Sequence, residues 1–168
     1  LREKLRHNAV LVTYPIGAED AFEGVVDLLT REALYFDGDN GENIRREPCP
    51  AELAEEVEEY RTLLVEKLGD FDDDIAEMYL EGEPEKVTAE QMIPVIRKAT
   101  LSLEFTAVFC GTAFKNKGVQ NMIDAVGLFL PAPNEVTNEA FDLGNNEAKV
   151  VLESKDDLPL CSLAFITP

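Results

Sequence analysis

The sequence predicts an α/β parent fold carrying an inserted α+β segment, and three observations predict it. Strand candidates crowd into the first 48 positions, where Val, Ile, Tyr and Phe are frequent. Three helical segments follow from position 51. An apolar run, Phe105 to Cys110, then returns to strand character before a glycine loop and one last helix. Strands first and helices afterwards is the order of an α+β piece, and the returning strand rejoins an α/β parent.

Ala9-Val10-Leu11-Val12-Thr13-Tyr14 is an apolar run of buried-strand length. Ile16-Gly17 and Asp20 mark a turn, and Phe22 to Leu28 and Arg31 to Phe36 are two further strands by their β-branched and aromatic content. A Gly/Asn/Asp turn then joins Glu32–Phe36 to a strand around Ile44, which reads as a hairpin. The turn, Asp37-Gly38-Asp39-Asn40-Gly41-Glu42, does not meet the pattern of a calcium loop. Its fifth position is Gly41 and its twelfth is Pro48, where oxygen ligands are required. The Asp70–Asp74 run is read as a solvated helix start, so no metal site is expected at either place.

Pro50 suits a helix entry, and Ala51 to Leu68 follows with good helix formers. Leu53, Val57, Tyr60, Leu64 and Leu68 form one apolar stripe, while Glu52, Glu55, Glu56, Glu59 and Glu66 lie largely off it. Gly69 ends the helix. A short amphipathic helix is expected from about Asp72, with Asp72, Asp73 and Asp74 near its positive N-terminal end. For the next, Thr88 is the N-cap, Gln91 completes a capping box, and Val87 staples to Met92. Pro94 sits early in that helix and removes a backbone hydrogen bond, so a kink or a late start is expected. The last helix, Val119 to Leu130, places Val119, Met122, Ile123, Val126 and Phe129 on one face toward the parent sheet, and Pro131 stops it. After Pro133 the chain turns polar, and Lys149–Leu152 with Leu160–Ile166 read as paired strands.

Between the returning strand and the last helix lies Gly111-Thr112-Ala113-Phe114-Lys115-Asn116-Lys117-Gly118-Val119-Gln120. Gly111 permits a tight turn, and Thr112 and Ala113 are small enough for a ligand to reach backbone N–H groups. Open α/β sheets bind ligands at such carboxyl ends of strands. This segment resembles the last guanine-recognition motif of the elongation factor G family of translational GTPases, with Thr112 where that family usually has serine. Tyr14–Leu28, Met78–Gly82, Ile96–Thr100 and Phe129–Pro133 resemble further parts of the same family in order.

The resemblance implies an α/β GTPase portion carrying an inserted α+β subdomain, with partial β-barrel strands at the C-terminus. Residues 1–14 would end a GTPase-domain helix, with Leu1–Arg6 as its final turns, and enter a connecting strand. Residues 15–103 would be the insert, 104–133 the last strand, guanine loop and helix, and 134–168 a linker and the start of the barrel. Gly111, Thr112, Ala113, Phe114 and Lys115 would contact the base: the Ala113 N–H faces the guanine carbonyl, Thr112 braces the loop, and Phe114 covers the base edge. Glu52, Glu55, Glu56 and Glu59 would meet the stalk protein of the large ribosomal subunit.

The 168 residues contain no phosphate-cradling Gly-rich loop and no Asn-Lys-x-Asp motif. The expectation is therefore a fragment of a ribosomal translocase, inactive as a GTPase alone. GTP or GDP and magnesium would belong to the full-length parent, with no cofactor for the fragment itself. The regions that separate translocation from a recycling paralogue would lie outside it.

Thirty-four acidic against 15 basic residues give a net charge of −19. That balance opposes direct binding to nucleic acid or anionic membranes. Positions 51–90 hold 15 acidic and 3 basic residues, a density that suits a basic protein partner or solvent. No apolar run approaches the ~18 residues of a membrane span, and the N-terminal stretch lacks a signal-peptide core, so a cytoplasmic location is expected. Cys49, Cys110 and Cys161 are widely spaced and read as reduced, mostly buried thiols. A different class of function, a free-standing acidic protein-interaction module without nucleotide binding, also accommodates the charge.

Overall fold

The computed structural model describes residues 7–153 and 155–162, so the helix turns expected at Leu1–Arg6 lie outside the described residues. The chain divides into two compact units, 1–130 and 131–168.

In the first unit the apolar run at Ala9–Tyr14 is not one strand. It splits into β1 (Ala9–Leu11) and β2 (Thr13–Ile16), which belong to different sheets. Val12 is the switch point: its N–H donates to the Val108 carbonyl at 2.9 Å, and its own carbonyl accepts from the Leu28 N–H at 2.9 Å. One buried residue thus satisfies both polar groups in two sheets, which a buried backbone requires. β3 (Gly24–Asp27) is shorter than the expected Phe22–Leu28, because residues 19–21 form a 3-10 turn. β4 (Glu32–Asp37) and β5 (Asn43–Pro48) make the expected hairpin, and the four strands β2-β3-β4-β5 form an antiparallel sheet.

The helices pack on one face of that sheet. α1 spans Ala54–Gly69, with Pro50–Leu53 as a turn before it, so it starts three residues later than expected. Val57, Leu64 and Leu68 are buried, as the stripe requires, but Val65 and Arg61 are buried too, while Tyr60 lies at the exposed rim, 5.2 Å from the Tyr14 ring. α2 (Asp73–Leu80) is capped by Asp72, whose carboxylate accepts from the Ile75 N–H at 3.1 Å. α3 (Ala89–Leu101) opens on the Thr88/Gln91 capping box, with Val87 and Met92 in the same core. Its start is not delayed by Pro94, which sits inside the helix at an exposed position. The reciprocal cap fixes the first turn, and only the Glu90 carbonyl loses an intrahelical partner.

β6 (Thr106–Val108) pairs in parallel with β1, and α4 (Val119–Phe129) follows it. Ala125 and Phe129 of α4 are buried, the latter stacked 6.5 Å from Phe109. Met122, Ile123 and Val126 are exposed, against expectation. Among the described residues the sheet that β6 joins has the two strands β1 and β6, and α4 leans on α3, where Arg97 donates to the Leu128 carbonyl at 2.8 Å and the Leu130 carbonyl at 3.1 Å.

The core of the first unit joins Val10, Val12, Val26 and Ala33 of the sheets to Leu64, Leu68, Ile75, Met92 and Ile96 of the helices. The opposite face of the four-stranded sheet holds a smaller cluster, Val25, Leu34 and Phe36, against Phe22 and Cys110. The second unit contains β7 (Asn138–Asp142) and β8 (Ala148–Leu152), an antiparallel hairpin. Lys149–Leu152 therefore pairs with Asn138–Asp142 rather than with Leu160–Ile166. Of the latter, 160–162 are not in a strand and 163–166 lie outside the described residues. The Asn, Glu and Asp content of Asn138–Asp142 disguises it as loop.

Candidate functional site

The Gly111–Gly118 loop leaves the end of β6 and closes on itself. Thr112 and Lys117 exchange both backbone hydrogen bonds, at 2.8 and 3.1 Å, and the Asn116 N–H donates to the Ala113 carbonyl at 3.1 Å. Asn116 takes φ +50° and Gly118 φ +81°. A Cβ on Gly118 would lie 2.6 Å from the Cys110 carbonyl oxygen and 3.0 Å from Gly111 Cα, so glycine is needed both for the backbone angle and for the close approach. The outcome is a tight loop whose tip carries Ala113, Phe114 and Lys115.

Those three residues are exposed, and Phe114 is 99% exposed. Their N–H groups donate to no acceptor among the described residues. Free donors on an ordered tip can bind a carbonyl or other acceptor on a ligand, because the loop is already closed and little ordering remains to be done. The Thr112 hydroxyl makes no hydrogen bond among the described residues, so Thr112 closes the loop through its backbone.

Two other segments hold the loop. The Cys110 N–H donates to Thr13 Oγ1 at 2.8 Å. On the other side, Asn116 Nδ2 donates to the Asn40 carbonyl and Gln120 Nε2 to the Gly41 carbonyl, each at 2.8 Å. Sequence reasoning alone does not single out Thr13, Asn40, Gly41 or Gln120 as site residues. The Asn40-Gly41 pair signals only a turn, and no local pattern shows what a turn will touch.

The second candidate surface is the outer face of α1. Glu52, Glu55, Glu56 and Glu59 are all exposed. None of the four has a cationic partner among the described residues, and Glu56 instead accepts a hydrogen bond from the Tyr14 hydroxyl. Glu58, by contrast, is bound to Arg31 at 2.5 Å, and Glu66 lies 3.6 Å from Lys67. The surface therefore presents unneutralised carboxylates rather than a lattice of ion pairs. Tyr14 feels them: its hydrogen bond to Glu56, then burial, push its phenol up to about 12.

No protein-family model matches the chain. Over 98% of its length, however, it is 44% identical to elongation factor G 1 of Treponema pallidum (strain Nichols) and 46% identical to the mitochondrial elongation factor G-1 of Arabidopsis thaliana. The chain is homologous to a segment of elongation factor G. It spans 23% and 22% of those two relatives, under a quarter of their length. A crystal structure from Thermus thermophilus shares the fold, with a TM-score of 0.67 and 22% identity over 84% of this chain and 21% of that one.

In this chain the two candidate groups are separate surfaces. Gly111, Thr112, Ala113, Phe114 and Lys115 form one loop, and the four glutamates lie on and just before α1. Among the described residues no cluster of His, Cys, Asp or Glu is arranged to hold a metal ion, and no helix is long and apolar enough to cross a membrane. The thiols are less buried than expected. Cys161 is exposed, and Cys49 and Cys110 are half-buried, with burial pushing both of their thiol pKa values up. That shift opposes nucleophilic chemistry.

Proposed function

We propose that this chain is an internal segment of a translational GTPase of the elongation factor G type, a cytoplasmic factor that couples GTP hydrolysis to movement of tRNA and mRNA on the ribosome. The similarity of 98% of the chain to proteins of that name carries the reading. Residues 1–14 and 104–133 belong to its GTPase domain, 15–103 to a subdomain inserted in it, and 134–168 to the linker and start of a β-barrel. The free N–H groups at the tip of the Gly111–Gly118 loop support a role in base recognition. The Ala113 N–H donates to the 6-oxo group of guanine, Phe114 shields the base edge, and Gly111 and Thr112 set the loop's closure. The phosphates and magnesium are bound elsewhere in the factor, and the present residues hold the base while that chemistry proceeds.

The uncompensated carboxylates of Glu52, Glu55, Glu56 and Glu59 face a basic partner, the stalk protein of the large ribosomal subunit. Exposed ion pairs contribute only ~0.2–1 kcal/mol each. A row of them acts mainly by accelerating a weak, salt-sensitive encounter. The net charge of −19 keeps this segment off the RNA itself.

Reading the coding sequence upstream of Leu1 tests the proposal. A Gly-rich phosphate loop, then Asn-Lys-x-Asp about one helix before Leu1, is the expected finding. An initiator methionine near Leu1 without those motifs would leave a free-standing acidic interaction module instead. In the full-length factor, reversing Glu52, Glu55, Glu56 and Glu59 to lysine should slow ribosome-stimulated GTP turnover about tenfold or more at low salt, with a smaller effect at high salt.

A further inference from the structure

The turn between β4 and β5 reaches across to the Gly111–Gly118 loop although the residues that meet are 76 and 79 positions apart in sequence. Asn116, inside the loop, donates to the Asn40 carbonyl, and Gln120, in the first turn of α4, donates to the Gly41 carbonyl, both at 2.8 Å. Gly41 is buried and takes φ +62°. A Cβ there would sit 2.8 Å from the Asn116 carbonyl oxygen and 3.1 Å from that of Lys115. The turn's backbone is therefore pressed against the backbone of the loop tip itself. The Asn40 N–H in turn donates to the Glu42 carboxylate at 3.0 Å, which fixes the turn from within.

The same sheet also grips the loop's other end. Cys110 packs on the Val25–Leu34–Phe36 face, and its N–H is held by Thr13 of β2. Within the loop, three backbone hydrogen bonds, two between Thr112 and Lys117 and one from Asn116 to Ala113, oppose its opening among the described residues. Most of the loop's external support thus comes from the four-stranded sheet and its hairpin.

We propose that the β4–β5 turn, through Asn40 and Gly41, is a positioning element that holds the 113–115 tip in place for base recognition. The proposal rests on the reading of that loop as the guanine-recognition loop. Asn40 and Gly41 touch no nucleotide; they set the position of Ala113–Lys115 through Asn116 and Gln120. Nucleotide selectivity is then built partly by the segment 15–103, not by the parent domain alone.

Binding of GDP and of 2-aminopurine riboside diphosphate, which lacks the 6-oxo group, to the full-length protein tests this. The variants are Gly41→Ala, Gln120→Met, and Arg45→Ala as a control on the same hairpin, whose side chain engages Asp37, Glu47 and the Tyr35 ring. A lost hydrogen bond or a displaced tip should weaken GDP roughly threefold to tenfold in the first two variants. It should leave the 2-aminopurine nucleotide and the control unchanged. GDP affinity equal to that of the unsubstituted protein in both variants overturns the proposal. So does an equal loss for both nucleotides with a lowered unfolding midpoint, which marks a merely structural role. An unsubstituted protein that binds neither nucleotide removes the guanine-loop reading itself, and the proposal with it.

Discussion

The Cys110 N–H donates to the Thr13 hydroxyl at 2.8 Å, a bond between residues 97 positions apart that ties the strand feeding the candidate loop to the neighbouring sheet. Thr13 is almost completely buried, and Cys110 is half-buried. Replacing the hydroxyl by a methyl of the same shape leaves the Cys110 N–H without its acceptor. Thr13→Val should therefore cost about 1–3 kcal/mol in stability, measured by urea unfolding with an unchanged slope. Thr13→Ser keeps the acceptor and should recover most of the loss. Equal midpoints for Thr13→Val and the parent would mean that water replaces the hydroxyl.

Arg61 is only 1% exposed, yet it has no carboxylate within ion-pair distance among the described residues. Its guanidinium donates to the Pro84 carbonyl at 3.0 Å and to the Val87 carbonyl, tying α1 to the segment that leads into α3. The neighbouring Arg31 adds a bond to the Glu85 carbonyl at 3.3 Å, so two arginines clasp one short stretch of chain. Arg61→Met should lower stability by about 2–4 kcal/mol, because it removes two charge-assisted hydrogen bonds and strands their acceptors. Arg61→Lys should rescue little, since a single ammonium cannot reproduce the fork. A midpoint restored by lysine would contradict this.

Thr13 and Arg61 also mark the boundary between what is legible in the sequence and what is not. The Thr88/Gln91 box, the Asp72 cap and the β4–β5 hairpin are set by neighbours a few positions apart, and each forms as its local pattern dictates. Arg61 escapes a stripe drawn only through apolar residues. Yet Val57, Arg61, Leu64 and Leu68 have the helical spacing, and the odd charge in that row is the available signal. The corner at Val12 is not legible, since its two sheets are completed by strands supplied by residues 24–27 and 106–108. The loop's own turn follows from Gly111 and Gly118, but its dependence on Asn40 and Gly41 does not. The apolar face of α4 is plain in the sequence, but the exposure of Met122, Ile123 and Val126 is not.

Pro94 lies on the exposed side of α3, five residues beyond its first helical position. There it denies the Glu90 carbonyl its helical partner without contributing to the core. Pro94→Ala should therefore stabilise the fold by about 1–3 kcal/mol, near the helix-propensity difference between the two residues. The check is a raised thermal midpoint. No change would indicate that proline's stiffening of the unfolded chain offsets the missing bond.

Tyr14 and Glu56 couple the fold to the acidic surface. The phenol donates to the Glu56 carboxylate, and this bond, with burial and the nearby negative charges, pushes the Tyr14 pKa from 10.0 up to about 12. The folded protein thus holds this proton more tightly than the unfolded chain does. The stability that follows is fully present below about pH 10 and is lost as pH rises through about 12. Glu56→Gln keeps an acceptor but removes the charge, so the Tyr14 titration should move down toward its ordinary value. Carbon-13 NMR of the labelled ring follows Tyr14 separately from Tyr35, whose phenol is raised chiefly by burial. A Tyr14 curve unmoved by Glu56→Gln would mean that the Glu56 charge contributes nothing to the shift. If the curve moves, the same resonance reports on the surface: a basic partner neutralising Glu56 should draw the Tyr14 pKa down in the same direction as the substitution.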